Sequence, residues 1–170
     1  MSVPNSEIRR QPDASDNSHF WLALLRTPGI GSRGLLKLLA QVDSPAALFD
    51  ASRQQLKDLA LSANSIDYLQ QPDWQSVEKD LAWLAGADNH LITIHDQAYP
   101  RLLADIADPP LLLFGHGDPD FLLQPQLAIV GSRNPSRDGV ELATDFANWL
   151  GNCGLTICSG LAAGIDAAAH

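Results

Sequence analysis

Two short stretches put glycine directly after an apolar run. Leu127-Ala128-Ile129-Val130 leads into Gly131-Ser132-Arg133, and Leu155-Thr156-Ile157-Cys158 leads into Ser159-Gly160-Leu161-Ala162-Ala163-Gly164. A strand that ends in a glycine turn before a helix aims backbone amides at one spot beyond the sheet's carboxyl edge. Arg133 adds a full positive charge with a fork that fits phosphate. In a strand–helix–strand unit both strands end on the same side, so the two loops become neighbours. Side by side they suit an extended phosphodiester or one nucleotide, with Gly160 and Gly164 permitting close backbone approach. Asp166 either braces the second loop or meets Arg133. The spacing is not G-x-G-x-x-G, so a standard dinucleotide site is not indicated and no cofactor is expected. Taken singly, each loop also reads as an ordinary tight turn.

Other residue types offer weaker chemistry. Pro28-Gly29-Ile30-Gly31 lies between two apolar helical stretches, with Arg33 and Lys37 on the second. It resembles the helix-hairpin-helix motif of sequence-independent DNA binders, which makes Gly29, Gly31, Arg33 and Lys37 candidate duplex contacts. The alternative is a compact turn with Ile30 plugged between the helices. Asp166 and His170 stand four apart, near Ser159 or Ser132, which raises a serine triad. No G-x-S-x-G elbow accompanies them, and an Asp–His pair on one helix is usually a packing contact. His19, His90, His95 and His116 lack metal-ligand spacing, and no metal is expected. Cys153 and Cys158 are the only cysteines, too few for a disulfide framework, and are expected to be buried thiols at a helix end and in a strand.

These residues need elements to hold them. Residues 1–18 lack apolar periodicity and read as a disordered tail. Residues 19–86 read as one helical domain. Ser44-Pro45 is a cap with proline at the first helical position, Ser52 and Gln55 fit a capping box, and Trp74, Val77, Leu81 and Leu84 repeat at helical spacing before Gly86. Residues 87–170 change character. Leu91-Ile94, Leu111-Phe114, Leu127-Val130 and Leu155-Cys158 read as four strands alternating with helices, which implies one parallel sheet covered on both faces. The chain stops at His170 soon after the fourth apparent strand. The expectation is a fragment with an unpaired apolar edge.

Composition narrows the class. The 170 residues are 45% hydrophobic and 18% charged, which is globular composition. No apolar run approaches the ~20 residues of a membrane span, and Met1 to Asp16 has no signal-peptide core. A cytoplasmic protein is expected, with no membrane partner. The net charge is −9, unevenly spread. Arg26, Arg33, Lys37, Arg53 and Lys57 outweigh Asp43, Asp50 and Asp58 over 20–60, whereas residues 61–130 are strongly acidic. Away from the first of these segments, an anion site must rely on backbone dipoles and single arginines.

A longer ordered set carries a family resemblance. Tyr99-Pro100-Arg101-Leu102-Leu103, Asp108-Pro109-Pro110, Gly115, Ala128 to Arg133, Pro135-Ser136, Gly139 and Ser159 to His170 resemble the DNA-processing protein A (DprA/Smf) family, in its N-terminal part. The resemblance implies an α/β fold: a helical SAM-like or helix-hairpin-helix domain, then an incomplete Rossmann-like parallel-sheet domain. It implies a non-catalytic protein that binds single-stranded DNA and loads the RecA recombinase onto it in natural transformation and recombination. The complete protein would be a homodimer. It further implies DNA-phosphate contacts at Gly131, Ser132, Arg133, Ser159, Gly160 and Gly164. Asp138 stands where the family often has an aromatic residue, which adds a negative charge near the loop. The competing classes are a Rossmann-like enzyme that cleaves nucleotide N-glycosidic bonds, and a protein-interaction module built on the acidic segment.

Overall fold

The structure of the chain is a computed structural model that describes residues 17–170. The tail expected over residues 1–18 falls mostly outside that range, and Ser18 already begins the first helix. The chain divides into two compact units. One runs to Gln97 and resumes at Arg101–Gly117; the other combines Ala98–Pro100 with Asp118–His170.

The first unit is built around α1 (Ser18–Leu25), whose sequence is apolar almost all round. Such a helix must be enclosed, and Trp21, Leu22, Ala23 and Leu24 are buried. Around it lie α2 (Ser32–Leu39), α3 (Pro45–Asp50), α4 (Arg53–Asp58), α5 (Ala63–Gln70) and α6 (Trp74–Leu84). Leu35, Leu48, Leu56, Leu69 and Val77 complete the core. The starts are fixed locally. Ser44 accepts from the Ala47 amide with Pro45 at the first position, and Ser52 with Gln55 forms the capping box. Ser62 and Asp73 cap α5 and α6. Helices this short are marginal alone and persist because each buries one face against its neighbours.

The strands depart from expectation. β1 (Asn89–Thr93) and β2 (Leu112–His116) pair antiparallel, from Asn89 opposite His116 to Thr93 opposite Leu112. They belong to the first unit, because Leu111 and Leu112 enter the helical core and Leu91 packs against it. The connection carries only the single turn α7 (Arg101–Ala104), whereas a parallel crossover usually carries a long helix. One continuous parallel sheet is therefore not formed.

The second unit holds the parallel pair. After a 3₁₀ turn at Pro119–Leu123, β3 (Gln126–Ala128) leads through α8 (Arg137–Asn152) to β4 (Thr156–Cys158) and α9 (Ile165–Ala168). Gln126 faces Thr156 and Ala128 faces Cys158. Ser136 caps α8, as its position predicts, by accepting from the Gly139 amide at 3.2 Å. Two strands and one long helix cannot cover both faces of a sheet. Leu142, Phe146 and Trp149 on α8 are more than half exposed, and an open apolar groove of about 500 Å³ lies between β3 and α8. The same thin layer leaves Cys153 and Cys158 exposed, contrary to the buried thiols expected. No helix among the described residues is long and apolar enough to cross a membrane.

Leu22 is fully enclosed, so Leu22→Ala should cost about 2–5 kcal/mol through lost burial and a residual cavity. Urea unfolding followed by far-UV circular dichroism measures it. A change below ~1 kcal/mol would mean that α1 is not the centre of this core.

Candidate nucleic-acid interface

The two glycine loops do meet. Both follow parallel strands that end on the same side, and three hydrogen bonds tie them together. Asp166 Oδ1 accepts from the Gly131 amide at 3.1 Å, and Asp166 Oδ2 accepts from the Gly160 amide at 2.9 Å. The Ile165 amide donates to the Ser132 carbonyl at 3.1 Å. Asp166 is buried, so of the two alternatives in the sequence it takes the bracing role and does not meet Arg133. Gly164 has φ +95°, and a side chain there would run into the Ser132 carbonyl and the Arg133 backbone. A β-carbon at Gly131 would fall 2.8 Å from Ile165. These glycines are required for the close approach of one loop to the other.

Several donors face outward. Arg133 is exposed, and it enters none of the three ion pairs among the described residues, which are Arg26–Asp80, Arg53–Asp67 and Arg137–Glu141. The Ser132 and Arg133 amides have no acceptor among the described residues. Ser132 Oγ accepts from Asn134 N at 3.1 Å and keeps its own proton to donate. Ser159 Oγ accepts from Leu161 N at 3.1 Å and lies 2.7 Å from His170 Nε2. Asp138 stands in the first turn of α8, where its charge complements the helix dipole while adding negative potential near the loops. The arrangement presents one guanidinium, free amides and the Ser132 hydroxyl on one edge of a small sheet, which is the chemistry of an oxyanion contact.

It is not the chemistry of a serine triad. Ser159 and His170 do touch, but the Asp166 carboxylate bonds the Gly131 and Gly160 amides and not His170, so it does not orient the imidazole. His116 bonds Asn89 and His95 stacks edge-on against Trp21. No cluster of three or more metal-ligating side chains occurs among the described residues.

The Gly-Ile-Gly turn has a different character. Gly29 takes φ +74°, Gly31 starts α2, and Ile30 packs against Gly34 and the core. Arg33 and Lys37 are exposed, yet the Arg33 amide already donates to Asp108 Oδ1 at 3.2 Å. A carboxylate of the chain itself thus takes up one amide at the start of α2.

Comparison with known proteins bears on this arrangement. A family model described as DNA recombination-mediator protein A matches residues 90–170, which hold both glycine loops. Over that part the chain is similar to proteins of the DprA/Smf family. Protein Smf of Escherichia coli is 42% identical over 96 residues, 56% of this chain and 26% of that protein. DNA processing protein DprA of Streptococcus pneumoniae is 46% identical over 78 residues, 46% of this chain and 27% of that protein. The X-ray structure of the latter superposes with a TM-score of 0.69 at 29% identity, covering 89% of this chain and 52% of the solved one. The chain thus spans about a quarter of the length of these curated relatives. The α/β fold class that the resemblance implies is the one observed.

Sequence spacing alone brought Gly131–Arg133 and Ser159–Gly164 to one place, but two assignments needed the structure. Asp166 as the tie between the loops, and Asp108 at the start of α2, are acids of no distinctive motif whose partners lie far away in sequence. For the first, Gly164→Ala should displace the 131–133 loop, shifting the Ser132 and Arg133 amide resonances while leaving those of the first unit unchanged. Unmoved resonances would mean that the loops do not touch. For the second, Arg33→Ala and Lys37→Ala should leave duplex DNA affinity unchanged in a fluorescence-anisotropy titration. A clear loss in either would restore the hairpin as a DNA contact.

Proposed function

We propose that the second unit binds single-stranded DNA through its phosphodiester backbone. In this reading the chain is part of a non-catalytic recombination mediator that acts in the cytoplasm, works as a homodimer when complete, and delivers RecA to the strand. The observation that carries the reading is Arg133. Its guanidinium is exposed and unpaired beside free loop amides, on the part of the chain that the recombination-mediator family model matches. The DNA processing names of the relatives support the same direction.

The contact is to phosphate and not to a base. A guanidinium and amides aimed at one spot recognise an anion, and backbone contacts position a strand without reading its sequence. A chain with net charge −9 cannot draw DNA by its overall field, so local donors must supply the attraction. Gly131, Ser132, Arg133, Ser159, Gly160 and Gly164 frame the site in this reading, and the Arg133 guanidinium is its principal charge.

Arg133→Ala should weaken binding to single strands of every sequence alike. It should also flatten the log–log salt dependence by roughly 0.7, the increment per phosphate contact on single strands. Arg133→Lys should recover only part of the affinity, since an ammonium keeps the charge but loses the two-pronged fit. Titration of labelled oligonucleotides at several salt concentrations measures all three. Unchanged affinity and slope would make the loop merely a turn. Sequence-selective loss would mean base readout, and nucleotide turnover that disappears with Arg133 would point to the glycosidic enzyme.

A further inference from the structure

The residue beneath the two loops sets up a conflict of charge. Asp166 is only 5% exposed, forms no ion pair among the described residues, and lies under a site that our reading assigns to an anion. A carboxylate taken out of water is costly unless strong donors meet it. Here two backbone amides do so, one from each loop: Gly131 to Oδ1 and Gly160 to Oδ2. Charge-assisted bonds of this kind are roughly twice as strong as neutral ones. The glycines serve that geometry, since a β-carbon at Gly160 would come 3.0 Å from Asp166 Oδ2.

We propose that Asp166 is the positioning residue of the phosphodiester site. Its carboxylate holds the Gly131 and Gly160 amides, so the donors the first loop leaves to the strand are the Ser132 and Arg133 amides, the Ser132 hydroxyl and the Arg133 guanidinium. Peptide geometry explains how the outward set is aimed. The Ser132 carbonyl is turned inward to accept from Ile165 N. In a planar trans peptide the N–H points opposite to the carbonyl, so the Arg133 N–H is turned outward. Asp166 fixes the peptide at Gly131, Ile165 fixes the one at Arg133, and together they set the direction in which Arg133 leaves the sheet. The proposal rests on the phosphodiester reading of the site.

The sign of one substitution separates positioning from simple electrostatics. If Asp166 acted only as a nearby negative charge, Asp166→Asn would tighten binding by removing repulsion. As a clamp it does the reverse, because an amide side chain has one acceptor and turns an N–H donor toward one of the two loop amides. Asp166→Asn should therefore weaken binding of oligothymidylate to the whole chain roughly tenfold, the scale of a lost hydrogen bond to a charged group. Since part of its effect passes through the Arg133 side chain, Asp166→Asn should cost less in the Arg133→Ala background than it does alone. Tighter or unchanged binding, or fully additive losses, overturn the proposal.

Amide hydrogen exchange on the unaltered chain gives an answer that does not depend on how the variant folds. The Gly131 and Gly160 amides should be protected in the free chain and unchanged by oligothymidylate, while those of Ser132 and Arg133 become protected only on binding. Protection of Gly131 and Gly160 that appears only with the oligonucleotide overturns the clamp, even if Arg133→Ala confirms the site. Absence of binding by the unaltered chain overturns the phosphodiester reading, and with it the positioning role, even if both glycine amides are protected in the free chain.

Discussion

A carboxylate removed from water must be met by donors, and meeting that need joins the second unit at its working edge. Asp166 reaches both strand-end loops at once, which ties α9 to the ends of β3 and β4. Gly131 and Gly164 are where they are because nothing larger fits between the loops at that spacing, and a β-carbon at Gly160 would press on the Asp166 carboxylate. The outward-facing donors follow from the inward-facing ones. Peptides whose carbonyls or amides are committed inside have their remaining groups directed to solvent, and Arg133 leaves from that frame.

The first unit is organised by a different necessity. An apolar α1 has to be surrounded, and short capped helices with a two-stranded hairpin supply the surround. The same packing limits what the Gly-Ile-Gly turn offers to a ligand. Ile30 goes inward against Gly34, and Asp108 takes an amide at the start of α2. The turn is packed inward, and one amide after it already has an acid of the chain as partner.

The second unit is thinly covered, and this affects everything except the tied loops. Its strands are three residues each, and its long helix shows Leu142, Phe146 and Trp149 to solvent. Exposed cysteines at Cys153 and Cys158 have the same origin. The loops escape because their geometry is set by hydrogen bonds to a buried charge. Directional bonds hold a local arrangement that sheet burial alone would leave loose.

Local signals in the chain were legible because they act over three or four residues. The caps at Ser44, Ser52 and Ser136, the helical period from Trp74 to Leu84, and the glycine turns after Val130 and Cys158 are all of this kind. The likeness to DprA/Smf proteins was legible too, since it lies in ordered motifs. Strand direction was not. Leu91–Ile94 and Leu111–Phe114 look like members of the same parallel sheet, yet they pair with each other, because Leu111 and Leu112 belong to the helical core. Nor could spacing choose between Asp166 as a brace and Asp166 as a partner for Arg133. That choice depends on which donors the folded backbone brings within 3.1 Å of a buried carboxylate. Sequence alone determined where strands and helices begin and which residues line the turns. Tertiary structure decided which amides are used up inside and which remain for a ligand, because hydrogen bonds between distant residues form only after the chain has closed on itself.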